Sequence, residues 1–169
     1  MMMKLSLLAC LALALIPFPC RAADDGNLLK DPSFEEGGWS AGRKVELDTT
    51  GENARTGKTS LVLYNRAGPE DWYSFGHTVK GIEPGETYRF AFHARGLPDN
   101  PLKTKIHWSI PGEPDEVRKL ERRFSGIDFE LFEIVMKAPD NATRARLVIE
   151  NWQTGTDVWI DDLFFGPVR

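Results

Sequence analysis

The 169-residue sequence has only two cysteines, and both fall within its first 22 residues. Cys10 and Cys20 lie in an N-terminal segment with the pattern of a secretion signal. The 147 residues that follow residue 22 contain no cysteine. A chain without cysteine forms no disulfide, binds no zinc through thiolates and has no cysteine nucleophile. The sequence excludes these three kinds of chemistry for the mature protein.

The chain also lacks an apolar run long enough to span a bilayer. The N-terminal run covers Leu5–Ile16, twelve residues, where a helix needs about 20 to span the hydrocarbon core. Lys4 precedes the run, and Cys20-Arg21-Ala22 offers small residues at the two positions that a signal peptidase reads. We therefore predict a signal peptide at residues 1–22, a secreted or periplasmic protein and no membrane span. Lipid attachment at Cys20 is an alternative, although Pro19 stands where a small residue is usual.

No block of basic residues occurs in the sequence. Lys and Arg total 21 against 25 Asp and Glu, for a net charge of −4. Removal of residues 1–22 leaves 19 basic and 25 acidic residues, a net charge of −6. A mildly acidic chain of this kind is not typical of proteins that bind nucleic acid or anionic membranes. We expect neither as a partner.

No long segment shows the period of a helix, and short alternating runs recur instead. Hydrophobic residues make up 41% of the chain and aromatic residues 11%, which argues against disorder. Turn sequences rich in Gly, Pro, Asp and Asn separate the runs. The pattern predicts an all-β fold, an antiparallel sandwich or jelly roll of roughly nine or ten strands, in a single domain at residues 23–169. Seven of these strands are assigned ranges, namely Thr59–Tyr64, Glu86–Arg95, Lys103–Ile110, Glu116–Phe124, Phe129–Met136, Arg144–Glu150 and Asp157–Phe165.

Alternation assigns side chains to the two faces of these strands. Trp108 and Trp159 share parity with apolar neighbours, so both are predicted to lie in the core. Asp161 shares the parity of Trp159 and is predicted to point inward as well. The strand Glu116–Phe124 is richer in charge and is predicted to lie at a sheet edge.

Short sequence words along the chain carry a resemblance. In order they are Asp31-Pro32-Ser33-Phe34-Glu35, Thr56-Gly57-Lys58-Thr59-Ser60-Leu61, Pro84-Gly85-Glu86-Thr87-Tyr88, Ala145-Arg146-Leu147-Val148-Ile149-Glu150 and Val158-Trp159-Ile160-Asp161-Asp162-Leu163. No single word is specific, but the ordered set resembles the carbohydrate-binding modules of the family 4/9/22 (CenC-like) type. These modules have the galactose-binding-like jelly-roll fold. The resemblance covers nearly the whole mature chain.

The resemblance implies a non-catalytic module that binds a polysaccharide or glycan across its concave sheet. Trp72 matches a tryptophan that often flanks the cleft in such modules. Alternation predicts that polar side chains of three strands face this sheet, with the strand of His93 beside that of His107. Rings can stack on sugar C–H faces, and charged groups can bind vicinal hydroxyls. The candidate ligand contacts are Trp72, Tyr73, Arg89, His93, His107, Arg146, Glu150 and Trp152.

The resemblance also implies a structural calcium ion at the far edge of the sheet. The matching carboxylates are Glu35 and Asp161, and the matching backbone oxygens belong to Ser33 and Lys58. A carboxylate on an inward face needs a partner, and a hard cation is a suitable one. Turn amides or a basic side chain are alternative partners.

Other functions remain open. The 147 mature residues leave no room for the hydrolase domain that usually accompanies such modules, so an envelope or secreted protein is an alternative partner. A small polysaccharide-acting hydrolase is a third reading, although the sequence has neither Gly-x-Ser-x-Gly nor His-Glu-x-x-His. A zinc site formed by His93, His107 and Glu150 is a further alternative that no spacing requires.

Overall fold

The computed structural model describes residues 26–37, 39, 45–65 and 73–169. The predicted signal peptide, the lipid-attachment alternative at Cys20 and the candidate contact Trp72 lie outside these residues. Within the described part, no helix has the length and apolar character needed to span a bilayer.

Nine strands form the described fold, and each predicted strand is found with its ends shifted by a few residues at most. Short polar turns join them, as the Gly, Pro, Asp and Asn clusters predict. The strands are β1 Val45–Asp48, β2 Ser60–Asn65, β3 Tyr73–Lys80, β4 Thr87–Arg95, β5 Pro101–Ser109, β6 Glu116–Arg123, β7 Glu130–Lys137, β8 Arg144–Asn151 and β9 Thr156–Pro167.

The strands form two antiparallel sheets. The five-stranded sheet has the order β1-β2-β9-β4-β7, and the four-stranded sheet has the order β3-β8-β5-β6. The prediction of an all-β sandwich is confirmed. The prediction that β6 lies at an edge is also confirmed, since it pairs with β5 alone among the described strands.

The core lies between the two sheets and is built largely of aromatic rings. Tyr88 stacks on Phe165 with ring centroids 5.3 Å apart, and Phe92 stacks on Phe132 at 5.4 Å. Trp108 is fully buried, as the alternation of β5 predicts. Rings of this size bury much apolar area and add offset-stacking contacts. The ring of Trp108, from the four-stranded sheet, lies 5.8 Å from that of Tyr88 and 6.3 Å from that of Phe165 in the other sheet, so side chains of both sheets form one core.

The prediction that Trp159 lies in the core is wrong. Trp159 pairs with Val62 and Arg95 on the outer side of the five-stranded sheet, and its Nε1 donates to Asp48 Oδ2 at 3.1 Å. The cause is a bulge in β9, where Asp162 has a φ of 50° and the register with β4 shifts. One extra residue in the strand moves all side chains before it to the opposite face. Alternation counted back from Phe165 therefore assigns Trp159 to the wrong face.

The prediction that β4 and β5 are neighbours is also wrong. β4 pairs with β7 and β9, whereas β5 pairs with β6 and β8 in the other sheet. The chain crosses from one sheet to the other between Arg95 and Pro101. Crossovers of this kind are normal in jelly rolls, and strand alternation contains no information about them.

Candidate functional site

The predicted ligand contacts are divided between two opposite surfaces. Arg89 and His93 of β4 lie on the outer side of the five-stranded sheet. His107 of β5 and Arg146 of β8 lie directly opposite each other on the outer side of the four-stranded sheet, together with Glu150. The core separates the two sets. A single ligand cannot contact both, and the zinc alternative that joins His93 to His107 is excluded for the same reason.

The four-stranded face, meaning the outer side of β3, β8, β5 and β6, brings four of the predicted contacts together, His107, Arg146, Glu150 and Trp152. Cross-strand register places Thr78, Arg146, His107 and Val117 in one row. Adjacent strands lie about 4.8 Å apart, so the side chains of one row are in reach of one another.

Glu150 is the polar centre of this face. Its side chain is 8% exposed, and both carboxylate oxygens have partners. Lys105 Nζ donates to Oε1 at 2.7 Å, and Trp152 Nε1 donates to Oε2 at 2.8 Å. A buried carboxylate needs this kind of compensation. The two contacts hold Lys105 and the indole of Trp152 in place.

Trp152 lies immediately after β8, in the turn that leads to β9. The residue is 39% exposed, and Lys103 Nζ lies 4.3 Å from the centroid of its ring. An ammonium group at this distance is attracted to the ring face. The indole therefore forms a fixed apolar surface at one end of the four-stranded face, bordered by cations.

Arg146 occupies the middle of the face, beside a glycine. A Cβ added to Gly76 of β3 would lie 3.4 Å from the nearer guanidinium nitrogen of Arg146. The absence of a side chain at Gly76 therefore lets the guanidinium lie across β3. Its planar donors suit paired acceptors such as a carboxylate or vicinal hydroxyls.

His107 stands between cations, and this affects its charge. Burial lowers the pKa of His107 below 6.5, and the charges of Lys105 and Arg146 lower it further. The neutral imidazole is therefore favoured near pH 7. In this form one ring nitrogen donates and the other accepts a hydrogen bond.

The prediction for Tyr73 is corrected. Tyr73 begins β3 but points inward, is 8% exposed and belongs to the core cluster. Conversely, Lys103 and Lys105 were not predicted as contacts, although both lie on the four-stranded face. They share the parity of His107 along β5, and that parity was the signal that could have identified them.

The arginine side chains on the outer side of the five-stranded sheet contact neighbouring side chains of the same surface. Arg89 Nε lies 2.6 Å from Glu133 Oε2. The guanidinium of Arg95 lies over the rings of Trp159 and Phe129, at 5.0 and 5.5 Å, and donates to Asn53. The charged groups of Arg89 and Arg95 are therefore already paired with other groups of the protein.

The carboxylates of the predicted calcium site clamp the β1–β2 loop, residues 49–59. The backbone N–H groups of Lys58 and Thr59 donate to Glu35 Oε1 at 2.9 and 2.7 Å. Those of Arg55 and Thr56 donate to Asp161 Oδ2 at 2.8 and 3.0 Å.

Asp161 is fully buried, but it does not lie in the core. It faces the same outward side as Trp159, and the β1–β2 loop covers it there. The prediction that it points into the core is corrected. Burial raises the pKa of Asp161 to about 6, against the opposing effect of the amide donors.

These contacts bear on the predicted calcium ion. Backbone N–H groups carry partial positive charge, and they occupy Oε1 of Glu35 and both carboxylate oxygens of Asp161. As placed, Glu35 and Asp161 fit an amide clamp rather than a calcium site. Within the described residues, no group of three or more His, Cys, Asp or Glu side chains is arranged to hold a metal ion. Calcium stays a prediction from the resemblance.

No protein-family model matches the chain, and no curated protein matches it. Solved structures are similar in fold. A structure described as Family 16 Carbohydrate Binding Module-2 has a TM-score of 0.63 at 16% identity, covering 82% of this chain and 99% of that one. A family 61 module, solved with β-1,4-galactotriose, has a TM-score of 0.60 at 21% identity, covering 84% and 99%.

A third similar structure is the enzymatically active domain of tailspike protein 4 of bacteriophage CBA120, with a TM-score of 0.66 at 18% identity. It matches 84% of this chain, which spans only 21% of that protein. At these identities the similarity shows the fold alone. The described chain has the jelly-roll fold of carbohydrate-binding modules, as the resemblance implies.

Proposed function

We propose that the protein binds a polysaccharide or glycan on the four-stranded face, without catalysis. The observation that carries the proposal is the group formed by Trp152, Glu150 and Lys105, in which a partly exposed indole is fixed beside charged donors. Arg146 and His107 extend the same surface along β8 and β5. The fold, shared with carbohydrate-binding modules, supports this reading.

The chemistry of the face suits a sugar. The indole of Trp152 offers a flat apolar surface for the C–H face of a pyranose ring. Arg146 and Lys105 offer charge-assisted hydrogen bonds to hydroxyl groups. Because Glu150 and the core below hold these groups in place, little side-chain entropy is lost on binding.

The carboxylates of the face favour binding over hydrolysis. Glycoside hydrolysis generally requires two carboxyl groups on either side of the scissile bond, one of them with a raised pKa. Glu150 is engaged by Lys105 and Trp152. Glu121, the other carboxylate that the described strands place on this side, is exposed and lies 3.7 Å from Lys103. Neither is positioned as a free general acid.

Affinity electrophoresis through gels containing soluble polysaccharides tests the proposal. We expect retardation by at least one polysaccharide, and at least a tenfold loss of affinity in Trp152→Ala. Lys137→Ala is the matched control, because Lys137 is exposed on β7 of the opposite sheet. Equal retardation of the wild type and Trp152→Ala would rule out this face. Release of reducing ends would instead favour the hydrolase reading.

A protein partner is the second candidate function. Leu131 and Val135 lie on the outward side of the edge strand β7 and are 42% and 52% exposed. Exposed apolar side chains on an edge strand are a usual site of protein association. Recovery of one envelope protein by the wild type, but not by Leu131→Lys/Val135→Lys, together with no retardation by any polysaccharide, would favour this function.

Export of the protein is a further part of the proposal. It rests on the sequence pattern of residues 1–22, which precede the described fold. Mass spectrometry of the protein recovered from the periplasm or medium is expected to find Ala23 at the N-terminus. An uncleaved Met1 would contradict export, whereas a lipid-modified Cys20 would show export with lipid attachment in place of cleavage after Ala22.

A further inference from the structure

The four-stranded face is strongly basic, although the chain as a whole is acidic. Seven cations point outward from the described residues of its strands, against two carboxylates, Glu121 and Glu150. The net charge of the whole sequence is −4. The cations are Lys80, Lys103, Lys105, Lys119, Arg123, Arg144 and Arg146.

Both outward carboxylates are already paired within the face. Glu150 binds Lys105 at 2.7 Å, and Glu121 lies 3.7 Å from Lys103. Arg123 turns away to donate to the carbonyl oxygen of Asp99. The remaining cations have no outward carboxylate opposite them in the register of the four strands.

Two like-charged pairs stand directly opposite each other across the strands. Lys105 faces Lys119 between β5 and β6, and Lys80 faces Arg144 between β3 and β8. Cross-strand pairs of equal charge destabilise a sheet. Two such pairs on one surface lower the stability of the folded sheet. An anion bound between the cations would offset this loss.

We propose that the ligand is an acidic polysaccharide, whose carboxylate or sulfate groups bind the cations of the four-stranded face. This inference rests on the proposed function and specifies its ligand. Arg146, at the centre of the face, binds one acidic group through two parallel N–H donors. Lys119 and Arg144 lie on either side of it, and Trp152 packs against a sugar ring at one end.

The arrangement favours a polysaccharide over a nucleic acid. Proteins that bind single strands stack successive bases on several aromatic side chains along a basic groove. Among the described outward residues of this face, Trp152 at the end of β8 is the single large aromatic side chain. Cations with a single ring suit a chain of charged sugars better than a row of bases.

Two matched pairs of polymers test the inference by isothermal titration calorimetry. Polygalacturonate is compared with its fully methyl-esterified form, and dextran sulfate with dextran. We expect one acidic polymer to bind at least tenfold more tightly than its neutral partner. The affinity should fall steeply between 50 and 200 mM salt. Binding of cations to a linear polyanion releases its condensed counterions, and added salt opposes that release. Which acidic polymer binds distinguishes a carboxylate ligand from a sulfate ligand.

Variants locate the binding groups. Arg146→Gln and the exposed Lys119→Gln are each expected to weaken binding of the acidic polymer at least fivefold, while Lys137→Gln on the opposite sheet leaves it unchanged. Lys119→Gln keeps the test valid if Arg146→Gln folds poorly, because Lys119 lies on the edge strand β6.

Four results would overturn the inference. Equal binding of an acidic polymer and its neutral partner would remove the charge preference and leave the proposed function standing. Unchanged binding in both variants would show that Arg146 and Lys119 do not bind the acidic groups. Equal affinity for a 20-nucleotide single-stranded DNA would show a general polyanion surface instead. Failure to bind any of the four polymers or neutral β-1,4-galactan would overturn the inference and count against the proposed function together.

Discussion

At the scale of single residues, Glu150 holds the polar side chains of the four-stranded face in place through its two hydrogen bonds. We expect Glu150→Ala to lower the free energy of unfolding by about 2 kcal/mol, because it leaves Lys105 and the indole N–H of Trp152 without their acceptor. Chemical denaturation at pH 7 measures the change. Glu121→Ala is the matched control on the same face, where an exposed pair is worth less than about 1 kcal/mol. Equal losses in the two variants would contradict this assignment.

His107 reports on the charge of the face. Burial holds its pKa below 6.5, and the cations Lys105 and Arg146 lower it further against the opposing effect of Asp115 and Glu150. A bound polyanion favours the protonated imidazole, so we expect the pKa of His107 to rise on binding. By linkage, affinity then increases as the pH falls toward 5.

NMR titration of the histidine ring protons, with and without the acidic polymer, measures this shift. His77 is the control, because its ring packs against Trp39 at 4.7 Å and it does not face the same surface. A rise in the pKa of His77 equal to that of His107, or no rise in either, would contradict binding at this face.

At the scale of elements, the β1–β2 loop depends on a glycine beside an acid. Gly57 has a φ of 63°, and an added Cβ would collide with Oε1 of Glu35. We expect Gly57→Ala to lower the free energy of unfolding by about 2 kcal/mol, from backbone strain and from displacement of the Glu35 clamp.

Gly51→Ala separates these two causes. Gly51 has a φ of 81°, but a Cβ there meets nothing within 4 Å. It therefore introduces backbone strain alone and is expected to cost less, about 1 kcal/mol. Thermal melts of the two variants give the comparison. Equal losses would mean that the clamp contributes nothing.

The pairing of β5 with β6 predicts a trade-off between stability and binding. Lys119→Glu would replace the like-charged pair with Lys105 by an opposite-charged one. We expect the variant to gain about 0.5 kcal/mol of stability and to lose affinity for the acidic polymer. Denaturant titration and calorimetry on the same preparation measure both. A variant that is less stable than the wild type would argue that Lys119 has a structural role.

The elements also show where sequence reasoning succeeds. Alternation along β4, β5 and β8 correctly assigned the buried side of each strand, because each has one face in a dry core. It failed in β9, where the bulge at Asp162 inverts the pattern. The extra residue of a bulge has no characteristic polarity, so the sequence of β9 does not show where the bulge lies.

At the scale of the whole molecule, the clamp predicts how stability responds to calcium. Since backbone amides already occupy Glu35 and Asp161, we expect the melting temperature to be the same in 5 mM calcium chloride and in chelator. A higher melting temperature in calcium chloride, lost in Asp161→Asn, would instead support the calcium ion that the resemblance implies, because an ion that binds the native state stabilises it.

The sequence by itself determined the fold class, the positions of seven of the nine described strands and the buried side of β4, β5 and β8. These follow from local physics, since a period of two and polar turns suffice to specify half-buried strands. It also placed His107, Arg146 and Glu150 on outward positions of their strands, although the candidate contact Tyr73 proved to be a core residue.

Only the tertiary structure decided which of these positions share a surface. Arg89 and His93 fall on one sheet, and His107 and Arg146 on the other, because the chain crosses the sandwich between β4 and β5. The basic face likewise assembles from cations on four strands that are scattered along an acidic sequence. Sheet membership depends on pairings between distant segments, and a pattern read along one strand cannot contain it.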